Sequence, residues 1–209
     1  NMDVIKRIKS IQRFLETNNL DGFIQPRSDS YLGEYVPLSD SRLEWISGFS
    51  GSAGEILILR NTAILFVDSR YTIQAINETI NTNIKVVLSS EESLTDYIEN
   101  NLKKLKNIAF DPCLHSLSKI KFLLNVGKKN NLIFTSLKQN PIDLIWVSNR
   151  EDAPKTKIKN HIKKYSGISA SIKIKKLCLI LKSFNADSYL ISQPDAIAWL
   201  LNIRGADLK

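Results

Sequence analysis

The sequence is poor in the residue types from which most metal and redox sites are built. Its 209 residues include only two cysteines and two histidines. Cys113 and Cys178 lie far apart and in no metal-like spacing, which excludes a disulfide framework and a zinc knuckle. His115 and His161 lack a partner at a ligand spacing such as His-x-x-x-His, so each is predicted to be an isolated surface histidine. We expect no metal ligands, no catalytic residues and a reducing, cytoplasmic location.

Long apolar runs are also missing. No run approaches the roughly 20 residues that a membrane-spanning helix needs, so we expect no membrane association. Near the N-terminus, apolar residues such as Ile8, Ile11 and Leu15 recur at helical spacing among charged ones, and no small-residue cleavage site follows. This segment is predicted to be an amphipathic helix rather than a signal peptide.

The net charge of +8 comes from one segment of the chain. Residues 155–176 hold eight lysines and no acidic residue. Without them, 21 of the 29 basic residues remain, against 21 acidic ones, so the rest of the chain is electrically balanced. A lysine cluster confined to one junction is typical of a solvated linker and helix face. We therefore expect no nucleic acid as a partner.

Short apolar runs alternate with helical patterns along the first three quarters of the chain. This alternation is typical of an α/β domain, with a mixed sheet flanked by helices. The predicted strands are 22–25, 55–59, 64–67, 84–88, 108–110 and 132–135, and the predicted helices include 90–102 and 117–126. Trp146, at the end of this region, is predicted to belong to the core.

The chain is predicted to hold one complete domain and part of a second. Residues 1–147 form the first domain, and the polar, lysine-rich residues 148–167 form a linker. A shift of 166 positions places the apolar residues of the first helix over those at 174–181, and 20–24 over 186–190. Residues 168–209 are therefore predicted to be the truncated start of a repeat of the same fold, too short for an independent core.

Three glycines at three-residue spacing, Gly48, Gly51 and Gly54, mark a loop that could approach a phosphate. The loop is not a Walker A sequence, because no Gly-Lys-Ser/Thr follows it. It is not a dinucleotide fingerprint either, because that motif needs another glycine spacing and a following helix, whereas a strand-like segment follows here. Ser52 stands where a hydrolase nucleophile elbow requires glycine. Close passage of the backbone past a neighbouring element is the favoured interpretation, and small-molecule binding at the loop is a weaker alternative.

Two arginines near this loop are candidates for ligand binding. Arg42 and Trp45 lie three residues apart, and Asp68 and Arg70 flank the next strand end. An arginine beside an aromatic ring and a carboxylate can bind a terminal carboxylate through two parallel hydrogen bonds. The alternative is a structural Asp–Arg pair that fixes the loop to the strand end.

Three ordered motifs carry a resemblance to a known family. The sequence has Glu-Tyr-x-Pro at 34–37, Asp-x-Arg-x-x-Trp-x-Ser-Gly-Phe-x-Gly-Ser-Ala-Gly at 40–54, and Asp-x-Arg-Tyr-x-x-Gln-Ala at 68–75. These motifs strongly resemble the creatinase-type N-terminal domain of three-domain Xaa-Pro aminopeptidases. In that family the first two domains share one fold. A third, pita-bread domain binds two metal ions, usually manganese, on two Asp, one His and two Glu.

The resemblance implies that the chain is the non-catalytic N-terminal portion of such an enzyme, inactive by itself. No cofactor is expected in this chain, and two manganese ions are expected in the absent catalytic domain. The implied substrate is a peptide with proline at its second position, and the full-length protein is expected to be a homodimer. Arg42, Trp45 and Arg70 are candidates for the edge of the active site. The alternative is a stand-alone creatinase-like interaction module without peptidase activity.

Overall fold

The computed structural model of the chain describes residues 2–101 and 103–205. It divides into two compact units, Asn1–Asp152 and Ala153–Lys209. The boundary between the units falls inside residues 148–167, the segment predicted to be a linker. No helix in the described part of the chain combines the length and apolar character required to span a bilayer.

The first unit is built on one six-stranded mixed sheet with the order β4-β3-β2-β1-β5-β6. Only β2 runs antiparallel to its neighbours, while the other five strands are parallel to one another. Five strands therefore end at one edge of the sheet, called here the carboxyl edge. The strands are β1 Gly22–Pro26, β2 Gly54–Leu59, β3 Ala63–Val67, β4 Ile84–Leu88, β5 Asn107–Phe110 and β6 Ile133–Ser136.

Helices cover both faces of this sheet, which confirms the predicted α/β class with a mixed sheet. Residues of α1, α2, α3 and α6 pack in the core on one face, and residues of α4 and α5 pack in the core on the other. The described α-helices of the first unit are α1 Met2–Thr17, α2 Arg42–Ser47, α3 Thr72–Glu78, α4 Leu94–Asn101, α5 Leu117–Asn130 and α6 Pro141–Ile145.

The central strands are apolar throughout because both faces of the sheet are covered. In β2, Ile56 and Ile58 contact the core beneath α1, whereas Leu57 and Leu59 contact the core beneath α4 and α5. This alternation follows from the two-residue period of a strand. Each fully buried Ile or Leu contributes roughly 1.5–3 kcal/mol to stability, so burial on both faces makes β2 and β3 the centre of the unit.

The helix ends follow local capping chemistry. The sequence predicted a helix from Ser90, but α4 begins at Leu94. Ser93 and Asp96 explain the later start: Ser93 Oγ accepts from the Asp96 amide, and the Asp96 carboxylate accepts from the Ser93 amide. Such reciprocal capping fixes the first turn of a helix. At its other end, α2 stops at Gly48, whose φ of 79° is readily adopted only by glycine.

The described residues of the second unit, 153–205, form three α-helices and a short strand pair. The helices are α7 Lys163–Ser166, α8 Ala170–Ser183 and α9 Pro194–Leu201, and β7 Lys159–Asn160 pairs antiparallel with β8 Ile203–Arg204. Residues 186–190, which the internal repeat aligns with 20–24 at the start of β1, form no strand, and no described strand pairs with them. A strand requires a neighbour for its backbone hydrogen bonds, so apolar character alone does not produce one.

Candidate functional site

Arg42 is a buried arginine in the first turn of α2, and two aspartates bind it. Its Nε and Nη2 donate to the two carboxylate oxygens of Asp143 at 2.8 and 3.1 Å. Its Nη1 lies 2.9 Å from Asp40 Oδ1. Burial alone would lower the pKa of Arg42, but the hydrogen bonds and charge of Asp143 and Asp40 outweigh it and raise that pKa. The guanidinium is therefore permanently charged, and each of its three nitrogens has an aspartate partner within the fold.

A second arginine completes this cluster. Arg150 Nη1 lies 2.8 Å from Asp143 Oδ1, and its Nε donates to the Ser39 carbonyl at 2.8 Å. Its Nη2 lies 3.7 Å from Asp40. Two arginines thus share two aspartates, which joins α2, α6 and the segment after α6. Asp143 and Arg150 were not predicted as members of this cluster, because their partners are distant in the sequence and no local motif marks them.

Trp45 and Trp146 stack beside this cluster. Their ring centroids are 5.2 Å apart and their planes differ by 18°. Arg7 lies over Trp45 at 4.4 Å from the ring centroid, and Arg150 lies over Trp146 at 5.0 Å. Trp146 is 7% exposed, as predicted for a core residue, and its buried indole N–H has no acceptor among the described residues. The result is a column of two aromatic rings between two cations, an arrangement that the ring quadrupole favours.

Arg70 lies elsewhere, at the carboxyl edge just after β3. Its Nε donates to Asp68 Oδ1 at 2.9 Å, and 69% of its side chain is exposed. The guanidinium also lies over the ring of Tyr71, whose hydroxyl is 2.7 Å from Ser52 Oγ. The hydrogen bond from Arg70 lowers the pKa of Asp68. The pair is charged near neutral pH, and one side of the guanidinium faces solvent.

A cavity opens at the same edge, where β1 and β3 end and β2 begins. Its volume is about 420 Å³. Carboxylates and hydroxyls supply much of its polar lining, and no basic residue lines it. The lining includes Pro26, Gly54, Glu55, Phe66, Asp68 and Ser69. In open α/β sheets, ligands bind outside the carboxyl ends of strands, so this edge is the site that the fold itself favours.

The glycine loop passes close to β3, in agreement with the favoured interpretation, because a Cβ added at Gly54 would lie 3.0 Å from the Phe66 carbonyl. A Cβ added at Gly51 would meet the ring of buried Phe49 at 2.1 Å. The amide and hydroxyl of Ser50 both donate to Glu78, at 2.9 and 2.6 Å. Arg27 Nε donates to the Gly51 carbonyl at 3.0 Å. The loop is thus fixed to α3 by Glu78 and to the residue that follows β1 by Arg27.

His115 is buried, so its prediction as a surface histidine was wrong. It is 9% exposed and packs edge-on against Phe110 at 5.7 Å between ring centroids. Its Nε2 has no hydrogen-bond partner among the described residues. Burial, aided by the positive charge of Lys119 and opposed by Asp111, lowers the pKa of His115 to about 4. The turn after β5 directs this side chain inward, and the position of a single histidine in the sequence does not reveal that direction.

Asn140, interpreted from the sequence as turn punctuation before Pro141, also connects distant strands. Its Oδ1 accepts from the Ile142 amide and so caps α6. Its Nδ2 donates to Gln25 Oε1 at 2.9 Å and to Asp111 Oδ2 at 3.0 Å. An Asn-Pro pair at a helix start is a recognisable capping signal, but the two distant acceptors cannot be deduced from it.

The structure separates the three candidate residues into two places. Arg42 and Trp45 lie on α2, where Arg42 is bound by Asp143 and Trp45 stacks on Trp146. Arg70 lies at the carboxyl edge, paired with Asp68, and has no hydrogen bond or ion pair to Arg42 or Trp45 among the described contacts. Within residues 2–101 and 103–205, no three His, Cys, Asp or Glu side chains are arranged to hold a metal ion. The described residues therefore do not fit a di-metal site.

Comparison with known proteins agrees with this architecture. Residues 7–152 match the family described as creatinase/prolidase N-terminal domain, and residues 149–209 match a second family with the same description. The chain therefore belongs to the creatinase/prolidase N-terminal domain family.

The similar proteins are longer than this chain. A probable Xaa-Pro aminopeptidase P of Aspergillus flavus is 32% identical over 206 residues, which are 97% of this chain and 31% of that relative. The corresponding protein of Penicillium rubens is 32% identical over 210 residues, 99% of this chain and 34% of the relative. The chain thus spans about a third of the length of the curated relatives it matches.

Solved structures show the same fold. The X-prolyl aminopeptidase of Caenorhabditis elegans, described as a cytosolic enzyme with a di-nuclear active site, is 25% identical, with a TM-score of 0.84 over 99% of this chain and 35% of its own. An aminopeptidase P of Streptococcus thermophilus, 19% identical, has a TM-score of 0.52 over 68% of this chain and 97% of its own. The first match confirms homology to X-prolyl aminopeptidases, and the second supports the fold alone.

Proposed function

We propose that this chain is the non-catalytic N-terminal portion of a Xaa-Pro aminopeptidase and is inactive by itself. One observation carries the proposal: matches to N-terminal domain families extend over residues 7–209, while the chain spans only about a third of its relatives. The chemistry then belongs to a separate domain, where two manganese ions would activate a water molecule against the peptide bond. The substrate is a peptide with proline at its second position, and the full-length protein acts as a cytoplasmic homodimer.

Within that protein, Arg70 is proposed to line the edge of the active-site entrance. Its guanidinium is the more exposed of the two candidate arginines, and Asp68 and Ser69, which precede it, line a cavity at the carboxyl edge. An exposed arginine can bind a peptide carboxylate or carbonyl through its free N–H groups. Arg42 and Trp45 are proposed to contribute indirectly, by holding the start of α2 against α6.

The first test is hydrolysis by the isolated chain. Purified protein is incubated with Mn²⁺ and a tripeptide of the form Xaa-Pro-Xaa, and release of the first residue is followed by chromatography. We expect no release above the protein-free control, because the described residues supply no ligand set for the metal. Cleavage next to proline that is inhibited by a chelator would disprove the proposal.

A chimera tests the contribution of Arg70. This chain replaces the matching third of the Caenorhabditis elegans enzyme, and peptide hydrolysis is measured with Arg70→Ala and with Lys9→Ala on α1 as the matched control. Loss of one charge-assisted contact of about 1 kcal/mol should raise KM about fivefold and leave kcat within about twofold. An unchanged KM would remove Arg70 from the entrance without affecting the assignment of the chain.

A further inference from the structure

A groove runs along the edge of the sheet between β6 and α5. Its volume is about 720 Å³, and residues of both elements and of the turn between them line it. The helix supplies one wall, and the edge strand supplies the other. The lining consists of Lys121, Leu124, Asn125, Gly127, Lys128, Asn131, Leu132, Ile133 and Phe134.

The outer side of β6, which faces the groove, carries backbone N–H and C=O groups that do not bond to β5. Strand β6 is last in the sheet order and pairs only with β5 among the described strands. The amides of Ile133 and Leu137 donate to carbonyls on the β5 side, at 2.8 and 2.9 Å. Alternate residues of a strand bond to opposite sides, so the N–H and C=O groups of Phe134 and Ser136 point away from β5. An edge of this kind can accept a further strand.

The side chains make the groove partly apolar and closed at one end. Phe134 is 7% exposed and forms its floor, while Leu124 and Ile133 are 43% and 63% exposed at its sides. A Cβ at Gly127 would meet the Leu132 carbonyl at 2.4 Å, so α5 and the residue just before β6 are in contact at that end. From there the groove offers room for an extended backbone and apolar contacts for alternate side chains.

The positive charge of the groove favours an acidic binding partner. Lys121 and Lys128 are exposed on the helix wall, and no acidic residue lines the groove. A second copy of this chain that paired through the same edge would bring its own Lys121 and Lys128 against these lysines. A segment with aspartate or glutamate on either side of an apolar stretch instead complements both the lysines and the floor.

We propose that this groove binds an extended, acidic peptide segment of another protein, which adds to the sheet as a new strand beside β6. The backbone of the segment pairs with Phe134 and Ser136. An apolar side chain contacts Phe134 and Leu124, and acidic side chains contact Lys121 and Lys128. This mode of recognition takes its affinity from main-chain hydrogen bonds and its specificity from the side chains that face the groove. It is independent of the peptidase assignment.

The binding experiment uses a defined probe and the whole chain. A fluorescein-labelled peptide, Asp-Glu-Val-Thr-Val-Thr-Glu-Asp, is titrated with the protein and followed by fluorescence anisotropy. The matched probe Lys-Lys-Val-Thr-Val-Thr-Lys-Lys tests charge, and a version N-methylated at alternate residues tests main-chain pairing. We expect the acidic probe to bind about tenfold more tightly than either. Equal binding of the three probes, or no binding, overturns the proposal.

Variants separate the two walls of the groove. Lys121→Glu with Lys128→Glu should weaken the acidic probe about tenfold and favour the basic one, whereas Lys6→Glu with Lys9→Glu, on α1, should change binding less than about twofold. Ser136→Pro removes an outward N–H without touching the bonds to β5 and should weaken binding about fivefold, whereas Ser136→Ala keeps that N–H and should not. If both double lysine variants weaken binding of the acidic probe equally, the probe does not bind in the groove.

Sedimentation of the chain alone excludes the second-copy alternative. We expect the sedimentation coefficient to be the same for the wild type and Ser136→Pro across the concentrations used for binding. A dimer that Ser136→Pro dissociates would show that another copy occupies the edge, and would overturn the proposal of an acidic partner. Circular dichroism of each variant confirms that loss of binding is not loss of folding.

Discussion

Arg42 and Asp143 bind each other through two parallel hydrogen bonds across 101 positions of sequence, from α2 to α6. Both groups are largely shielded, with 10% and 23% of their side chains exposed. A buried carboxylate that loses its partner, or a guanidinium that loses its carboxylate, keeps its desolvation penalty without compensation. Substitutions in this pair should therefore change the stability of the first unit more than substitutions of exposed charged residues.

We predict that Asp143→Asn lowers the free energy of unfolding by about 3 kcal/mol, because two arginines lose their shared counter-charge. Arg42→Lys should cost about 2 kcal/mol, since an ammonium cannot form both hydrogen bonds. Urea unfolding followed by circular dichroism provides both values. Arg70→Lys is the control. Because the pair of Arg70 with Asp68 is exposed, the midpoint of urea unfolding should be the same in this variant as in the wild type. Equal losses at Arg42 and Arg70 would contradict the shielded network.

The Trp45–Trp146 stack makes a second prediction. Trp146→Ala should cost about 3–4 kcal/mol, because it removes a buried ring and the partner of Trp45. Trp146→Phe should cost less than about 1 kcal/mol, because phenylalanine keeps the stacking and removes a buried indole N–H that has no acceptor among the described residues. Both are measured by urea unfolding. A large loss with phenylalanine would mean that the indole nitrogen has a partner, such as a bound water.

The sequence predicted strands and helices well where a local period or cap determines them. The boundaries of β4 were predicted to the residue, and those of β2 and β3 within one residue, since apolar runs and turns are local features. The Arg42–Asp143 pair and the buried His115 were not predicted, because both depend on which elements the sheet topology brings together. The three candidate residues could be selected by type, but their separation into two places could not.

The glycine loop offers a test of close packing. Gly51→Ala should cost about 2–3 kcal/mol, because the new Cβ would meet the ring of Phe49, which is fully buried and cannot move aside. Gly33→Ala is the matched control, since the nearest atoms to its Cβ are 3.8 Å away. Thermal unfolding of the two variants gives the comparison. Equal shifts in Tm would show that the cost lies in the backbone and not in the contact with Phe49.

The buried His115 predicts a pH dependence of stability. Its pKa is lowered to about 4 in the folded protein, whereas an unfolded histidine titrates near 6.5. Between these values the unfolded chain binds a proton that the folded chain does not. The contribution of neutral His115 to the free energy of unfolding is therefore fully present above pH 6.5. It is lost as the pH drops toward 4, and the loss amounts to about 3 kcal/mol.

The measurement is the free energy of unfolding in urea at pH 7.5 and pH 4.5, for the wild type and for His115→Phe. Phenylalanine keeps the packing against Phe110 and removes the titrating group, so the variant should lose about 2–3 kcal/mol less than the wild type over this interval. Lys119→Met, which removes a positive charge acting on His115, should give an intermediate loss. Parallel pH profiles for all three proteins would show that His115 takes up its proton equally in the folded and unfolded states.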